Sequence, residues 1–341
     1  MEILQNFLTT GFFYTIIRVS TPLIFASLSS LIARKGGVTN ITIDSTMIMS
    51  ALTGVLVSAY TKNIWLALVC GMAVGVVMGI FMGYFHIMMN TNMILTGVAI
   101  NTFTSGAAVM ILYAFTGDKG SSSMVKSMGI PGIDIPVIRS IPVLGDIVSG
   151  HNVFTYVAFI LVIVVWFLMY RMPLGLRIRA VGENSSAARS VGENPTKVKL
   201  IALGLSGLFA SLGGMYLSMG NMQVFIVNMT AGRGFIGVAA DAMGRGNPIG
   251  AMIASLLFGS ANAVANVLQI NSFSSDVVMA IPYVVSIAGI IIYSAHEQQV
   301  KEKRIRKEMK EAEREEKTYG KNSGNHRPVS YTHLRAHETG A

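Results

Sequence analysis

Charge is what this chain has least of: only 13% of its 341 residues are Asp, Glu, Lys or Arg. A single cysteine, Cys70, sits inside an apolar run, which excludes an intrachain disulfide and a cysteine metal cluster. A loop of the form GxxxxGK followed by Ser or Thr is missing as well. Gly244, Arg245, Gly246, Asn247 and Pro248 are glycine-rich, but they lack the lysine and the spacing that cradle a phosphate. No hydrolase-like triad stands out, and His151, His326, His333 and His337 lie in loops or tail without a helix-spaced metal pair. Catalysis, a bound cofactor and a bound metal are therefore not expected in this chain. The first apolar stretch has no basic region before it and no small-residue cleavage site after it, and it carries Arg18 and Pro22. It reads as a retained span and not as a signal peptide.

What is present is apolar length, with 52% of the residues hydrophobic. A helix needs about 20 apolar residues to cross about 30 Å of hydrocarbon. Runs of that kind lie at about 12–33, 46–60, 64–87, 93–115, 153–170, 200–219, 224–243, 249–268 and 277–294. The expected fold is an all-α integral membrane protein of about nine transmembrane helices, within a range of 8–10, filling residues 1–295. The net charge of +9 resides between these runs and in the tail, the pattern of loops anchored at the cytoplasmic face and not of a nucleic-acid surface. In the loop 116–152, Lys119, Lys126 and Arg139 balance Asp118, Asp134 and Asp146, so it is placed outside. The loop 171–199 carries Arg171, Arg177, Arg179, Arg189, Lys197 and Lys199 against Glu183 and Glu193, so it is placed in the cytoplasm, together with Arg34, Lys35 and the C-terminus. The N-terminus then falls outside. Residues 296–318 alternate charges as a solvated cytoplasmic helix does, and residues 319–341 have no hydrophobic period and are expected to be disordered. The run from about Pro328 onward is unlike the rest and reads as a non-native read-through.

Gly71, Gly75, Gly79 and Gly83 repeat every four residues and mark one helix face for close packing. The seventh run is broken by Gly232, Arg233 and Gly234. Asp241, four residues before Arg245, suits a local ion pair. Asp44 suits a helix cap at the entry to the second span, and Arg18 suits snorkelling to an interface. With no nucleotide loop and few buried charges to couple to an ion gradient, energy for transport is expected from a partner ATPase. The loop 171–199 is built to receive one. Asn184 is a good N-cap, 185–190 can form a short helix, Gly192 supplies a left-handed stop, and Asn194 with Pro195 restarts the chain. A mere connector needs only a few residues.

The stretch Arg179, Ala180, Val181, Gly182, Glu183, Asn184, Ser185, Ser186, Ala187, Ala188, Arg189 resembles the cytoplasmic coupling segment of the ribose and branched-chain amino acid permease family of ABC importers. Pro22 and Leu23, Gly37 to Ile41, Gly97 to Asn101, Gly232 to Phe235 and the turn at 244–250 are similar to further family landmarks in the same order, over about residues 12–294. The resemblance implies a type II ABC importer-like permease bundle in the bacterial cytoplasmic membrane. It also implies an ABC ATPase that consumes the ATP, a second permease (homologous or identical) and an extracytoplasmic solute-binding protein. ATPase coupling is assigned to Gly182, Glu183, Asn184, Ser185, Ala187, Ala188, Arg189 and Gly192. Asn101, Asn228, Thr230 and Arg233 are candidate translocation-path residues, being polar groups at membrane depth. The motifs look most like the nucleoside or simple-sugar branch. Branched-chain amino acids are the alternative solute, and an ion-coupled secondary transporter is the alternative class. Where the family usually has Gly, Glu and Gly after Asn40 and Ile41, this chain has Thr42, Asp44 and Ser45, an acid one methylene shorter and no glycines.

Overall fold

A backbone that leaves water must satisfy its own N–H and C=O groups, and the apolar runs do so as helices. The computed structural model describes residues 9–134 and 144–270 and isolated positions beyond. Among them the elements are α1 (Thr10–Lys35), α2 (Ile43–Thr61), α3 (Ile64–Gly83, continuing in a wider turn Tyr84–Met88) and α4 (Met93–Thr116). There follow α5 (Leu144–Val148), α6 (Val153–Arg171), α7 (Pro173–Glu183), α8 (Ser185–Ser190), α9 (Pro195–Met215, continuing in a wider coil Tyr216–Met222), α10 (Arg233–Met243) and α11 (Pro248–Ile270). Seven of the described helices, α1, α2, α3, α4, α6, α9 and α11, are long and apolar enough to cross a membrane. The expected seventh run is broken: its first half is irregular and only α10 is helical. The expected ninth span, the charged helix 296–318 and the tail fall outside the described residues, isolated positions excepted.

Asparagines set several helix starts, as their side-chain oxygens accept backbone N–H groups that have no partner inside the helix. Asn63 caps α3, Asn92 caps α4 and Asn152 caps α6. Helices α1, α2 and α9 form the buried centre, whereas α3, α4 and α6 keep most of their surface exposed. Trp65, Val77, Leu95, Phe103 and Ile163 are among the large apolar side chains on those outer faces, which suits a lipid surround. The glycine face of α3 lies against α9. A Cβ on Gly71 would run into Met215, one on Gly75 or Gly79 into the backbone carbonyls of Gly207 or Leu203, and one on Gly83 into Leu200 and Leu203. The two backbones therefore touch with almost no side chain between them.

The bundle has two distinct ends. At the basic end, the C-terminus of α1 meets α7, the start of α9 and the turn between α10 and α11; Gly182 lies against Lys35 and Gly37, and Gly246 against Lys35 and Arg34. At the opposite end, the segment 117–134 folds over the coil that ends α9. Ile130 N–H donates to the Met219 carbonyl at 3.1 Å, and Ser122 N–H to the Phe225 carbonyl at 2.8 Å. Hydroxyls buried in the centre are bonded across helices: Ser29 Oγ donates to the Ser206 carbonyl at 2.7 Å. Among the described residues no buried side-chain nitrogen or oxygen lacks a partner.

Candidate functional site

Two segments enter the bundle without crossing it, and both deliver a helix start to its interior. After α1 ends, residues 36–42 turn back inward. Gly36 sits against Ala202, where a Cβ would come within 2.9 Å of the alanine methyl, and Gly37 makes the turn at φ 77° against Gly182. Further along, Asn40 Nδ2 donates to Ser206 Oγ at 2.9 Å. The step from Ala202 to Ser206 is about 6 Å along α9, so the chain climbs by that much before α2 begins. Asn40 Oδ1 receives the N–H of Thr42 at 2.9 Å and its hydroxyl at 2.7 Å, which holds the entry to α2. The second segment, 223–232, comes from the opposite end. Gln223, Asn228 and Ala231 have φ of 58°, 62° and 43°, and Gly232 has 74°, so a series of left-handed residues turns the chain before α10. Helix α10 then runs alongside α1 toward the basic end, with Gly237 against Ala26 and Ser27. Lys35 lies nine positions beyond Ala26 on α1, which places Gly237 about 13 Å inside from that end.

The first turn of α2 joins these parts. Asp44 Oδ1 accepts the Gly234 N–H at 3.1 Å, and Asp44 Oδ2 accepts the Thr230 hydroxyl at 3.0 Å. No side chain of its own caps α10. The cap comes from Asp44, and a carboxylate at a helix N-terminus is favoured by both the free N–H groups and the helix dipole. Sequence spacing suggests a cap by Asp44 near α2; the structure spends it on a helix 190 positions away in the chain. On its other side, the Ser45 hydroxyl donates to Asn101 Oδ1, and Asn101 Nδ2 donates to the Ile41 carbonyl at 3.2 Å. Arg233 Nη1 donates to the carbonyls of Met229 and Thr230 at 2.9 and 3.1 Å. Of the path candidates, Asn101, Thr230 and Arg233 thus gather around α2, and Asn228 lies exposed two residues before Thr230. Asp44 joins them; its signal in the sequence is a lone acid among Thr42, Ser45 and Thr46 at the head of an apolar run.

At the basic end, Asp241 is buried and bound across helices. Arg34 Nε and Nη2 donate to its two carboxylate oxygens, both at 2.7 Å, Arg34 Nη2 also reaches the Asp241 carbonyl at 3.0 Å, and Ser30 Oγ donates at 3.1 Å. The i, i+4 spacing to Arg245 suggests a local pair. The fold instead brings α1 alongside α10, and the two-pronged geometry of a guanidinium on a carboxylate is the stronger bond.

The loop 171–199 holds two helices. Amphipathic α7 is not expected from the sequence, where the dense arginines obscure its apolar face of Gly175, Ile178 and Val181. Asn184 caps α8 by accepting the N–H groups of Ser186 and Ala187, both at 3.0 Å, and Gly192 stops it at φ 90°. The coupling candidates divide here. Glu183, Asn184, Ala187, Arg189 and Gly192 face outward, Ser185 is half-buried, and Ala188 is packed inside. Gly182 serves packing, because a Cβ on it would overlap the Lys35 carbonyl.

Residues 12–292 match the family described as branched-chain amino acid transport system / permease component. The guanosine ABC transporter permease protein of Bacillus subtilis (strain 168) is 31% identical over 286 residues, covering 80% of this chain and 88% of its own. The nucleoside ABC transporter permease protein of Lactococcus lactis subsp. cremoris (strain MG1363) is 28% identical over 285 residues, 80% of this chain and 89% of its own. The ribose import permease protein of Escherichia coli (strain K12) is 26% identical over 269 residues, 75% of this chain and 73% of its own.

Proposed function

This chain belongs to the branched-chain amino acid transport system / permease component family, and on that premise we propose that it is the membrane-spanning subunit of an ATP-driven importer for a nucleoside or related simple sugar. The relatives named for guanosine, nucleosides and ribose support that solute class. The observation that carries the reading is the interior meeting point of α2, α4 and α10. It joins Asn101 and Thr230, held through Ser45 and Asp44 of α2, to the exposed Asn228, with left-handed backbone at Asn228, Ala231 and Gly232. Its charged groups are engaged by the fold, Asp44 by α10 and Arg233 by carbonyls. A zwitterionic amino acid needs charges to receive it, whereas an uncharged, hydroxyl-rich solute needs only neutral hydrogen-bond partners in place of water.

In this reading ATP is hydrolysed by a separate subunit docked on the outward side of α8, an extracytoplasmic binding protein delivers the solute, and a second permease completes the path. The basic end faces the cytoplasm and the loop 116–152 faces outward, in the cytoplasmic membrane. Uptake of labelled guanosine, ribose and leucine by cells with and without this subunit tests the proposal. Guanosine or ribose uptake is expected to disappear with the subunit and with ATP depletion. Loss of leucine uptake alone would transfer the reading to amino acids, and uptake that survives ATP depletion but collapses with an ionophore would replace it by a secondary carrier.

A further inference from the structure

Helix α10 starts inside the bundle with a left-handed glycine, Gly232 at φ 74°, and no cap from its own segment. The residues before it bend through successive left-handed conformations at Asn228 and Ala231, which L side chains adopt at a cost, so local preference does not hold this start in place. Arg233 ties the bend back to the Met229 and Thr230 carbonyls, and the hold from outside the segment is side-on. Asp44 grips both strands of the bend, the Thr230 hydroxyl before it at 3.0 Å and the Gly234 N–H after it at 3.1 Å. Gly234 makes that approach possible, since a Cβ there would fall 2.6 Å from the Asp44 Cα. At its far end α10 is tied again, through Asp241 to Arg34 and Ser30. A short helix held at both ends by carboxylates, one on it and one on a neighbour, has its ends fixed, while Ile236, Gly237 and Ala240 pack its middle against α1 and α11.

We propose that Asp44 is a positioning residue for the transport step: by bridging Thr230 and the Gly234 N–H it fixes where the bend 228–232 stands in the solute path, and with it the exposed Asn228. The inference rests on the reading of this chain as an importer permease, and it acts through geometry and not through the charge of Asp44 on the solute. Asp44→Asn is the sharp variant. Its side-chain oxygen still accepts from Gly234, and its amide can donate to the Thr230 oxygen once that hydroxyl rotates, so both bridges survive without the charge. Asp44→Ala removes both and leaves a helix start without a cap.

The test uses the assembled complex with its ATPase and binding protein, reconstituted in liposomes, and two readouts. The first is labelled guanosine moved per ATP hydrolysed, with ribose and leucine run alongside. The second needs no solute: in a Cys70→Ser background, the labelling rate of Ala231→Cys by a membrane-impermeant maleimide. Asp44→Ala is expected to assemble, to hydrolyse ATP, to lose about tenfold in solute moved per ATP, and to change the labelling rate several-fold, since two hydrogen bonds are lost. Asp44→Asn is expected to stay within about threefold of the parent on both readouts. Thr230→Val, which removes one bridge alone, should fall between them and covers the case in which Asp44→Ala fails to assemble. An unchanged labelling rate in both Asp44→Ala and Thr230→Val overturns the proposal, as does an Asp44→Asn defect equal to that of Asp44→Ala. A parent complex that moves none of the three solutes overturns the solute class instead, and the labelling arm still decides the role of Asp44.

Discussion

Asp241 is a carboxylate that has left water, with 1% of its side chain exposed, and it must keep its partner. Removing the partner of a buried charge costs about 3–5 kcal/mol. Arg34 is itself 39% exposed, so water can reach the vacated site and the lower end of that range applies. Arg34→Ala is therefore expected to lower stability by about 3 kcal/mol, read as a fall in melting temperature in detergent. Arg34→Lys should recover only part of it, because an ammonium cannot grip both oxygens in a plane. His151 couples stability to pH. Its ring stacks on Tyr14 at 3.9 Å between centroids, and Nε2 lies 2.9 Å from the Ile147 carbonyl. Burial, aided by the Arg18 charge and opposed by the Ile147 carbonyl, lowers its pKa from the ordinary 6.5. The folded protein thus prefers neutral His151, while the unfolded chain takes up a proton below about pH 6.5. Stability from this site is complete above that pH and is lost as pH falls through it toward the lower folded value. The melting temperature should decline on acidification from pH 7 to 5.5, and His151→Asn should flatten the decline; an identical slope in the variant would remove His151 as its source. Neither contact is legible in the sequence, since Arg34 and Asp241 are separated by 207 positions, and Tyr14 and His151 by 137.

At the scale of elements, glycines on a single helix make opposite predictions. Gly207 of α9 has the Gly75 carbonyl where a Cβ would stand, whereas a Cβ on Gly204 would meet Ile80 and Val76 at an ordinary 3.6 Å. Gly207→Ala should cost about 1–3 kcal/mol through forced separation of α3 and α9, and Gly204→Ala should be tolerated or slightly stabilising. The yields of monodisperse protein and the melting temperatures of the two variants decide it. Helix α8 makes a similar contrast. Ala187→Glu places a bulky charge on the outward face and should abolish co-purification of the ATPase while the permease stays folded; retained co-purification would count against docking there. Ala188→Glu puts the charge inside and should unfold α8 instead. The caps of α8 and α9, the glycine face of α3 and the break before α10 are all visible in sequence because each depends on residues within one turn of each other. Helix α7 and the inward climb of residues 36–42 are not, as their positions are set by contacts between elements, Gly36 against Ala202 and Ile178, Asn40 with Ser206, and Gly182 against Lys35.

For the whole molecule, composition alone points to a multi-span helical membrane protein, and apolar length places seven of the spans to within a few residues. Depth is what it leaves open: a run can start at the surface or, as α2 and α10 do, well inside. The arrangement of charge suggests the sidedness test. Because Cys70 is the sole cysteine, Cys70→Ser yields a clean background for labelling. Ser123→Cys, exposed in the segment 117–134, should react with an impermeant maleimide in intact cells, and Ala187→Cys only after the membrane is opened; the reverse pattern would invert the topology. The meshing of α3 with α9 carries a last consequence. Two rods engaged backbone to backbone, with the Leu203 and Gly207 carbonyls lodged in the notches of Gly79 and Gly75, can neither slide by a residue nor roll without first being pried apart. They form a rigid keel. Spin labels on α3 and α9 should keep one fixed separation through the whole cycle of ATP binding and hydrolysis, and every displacement in the molecule can be surveyed from that line.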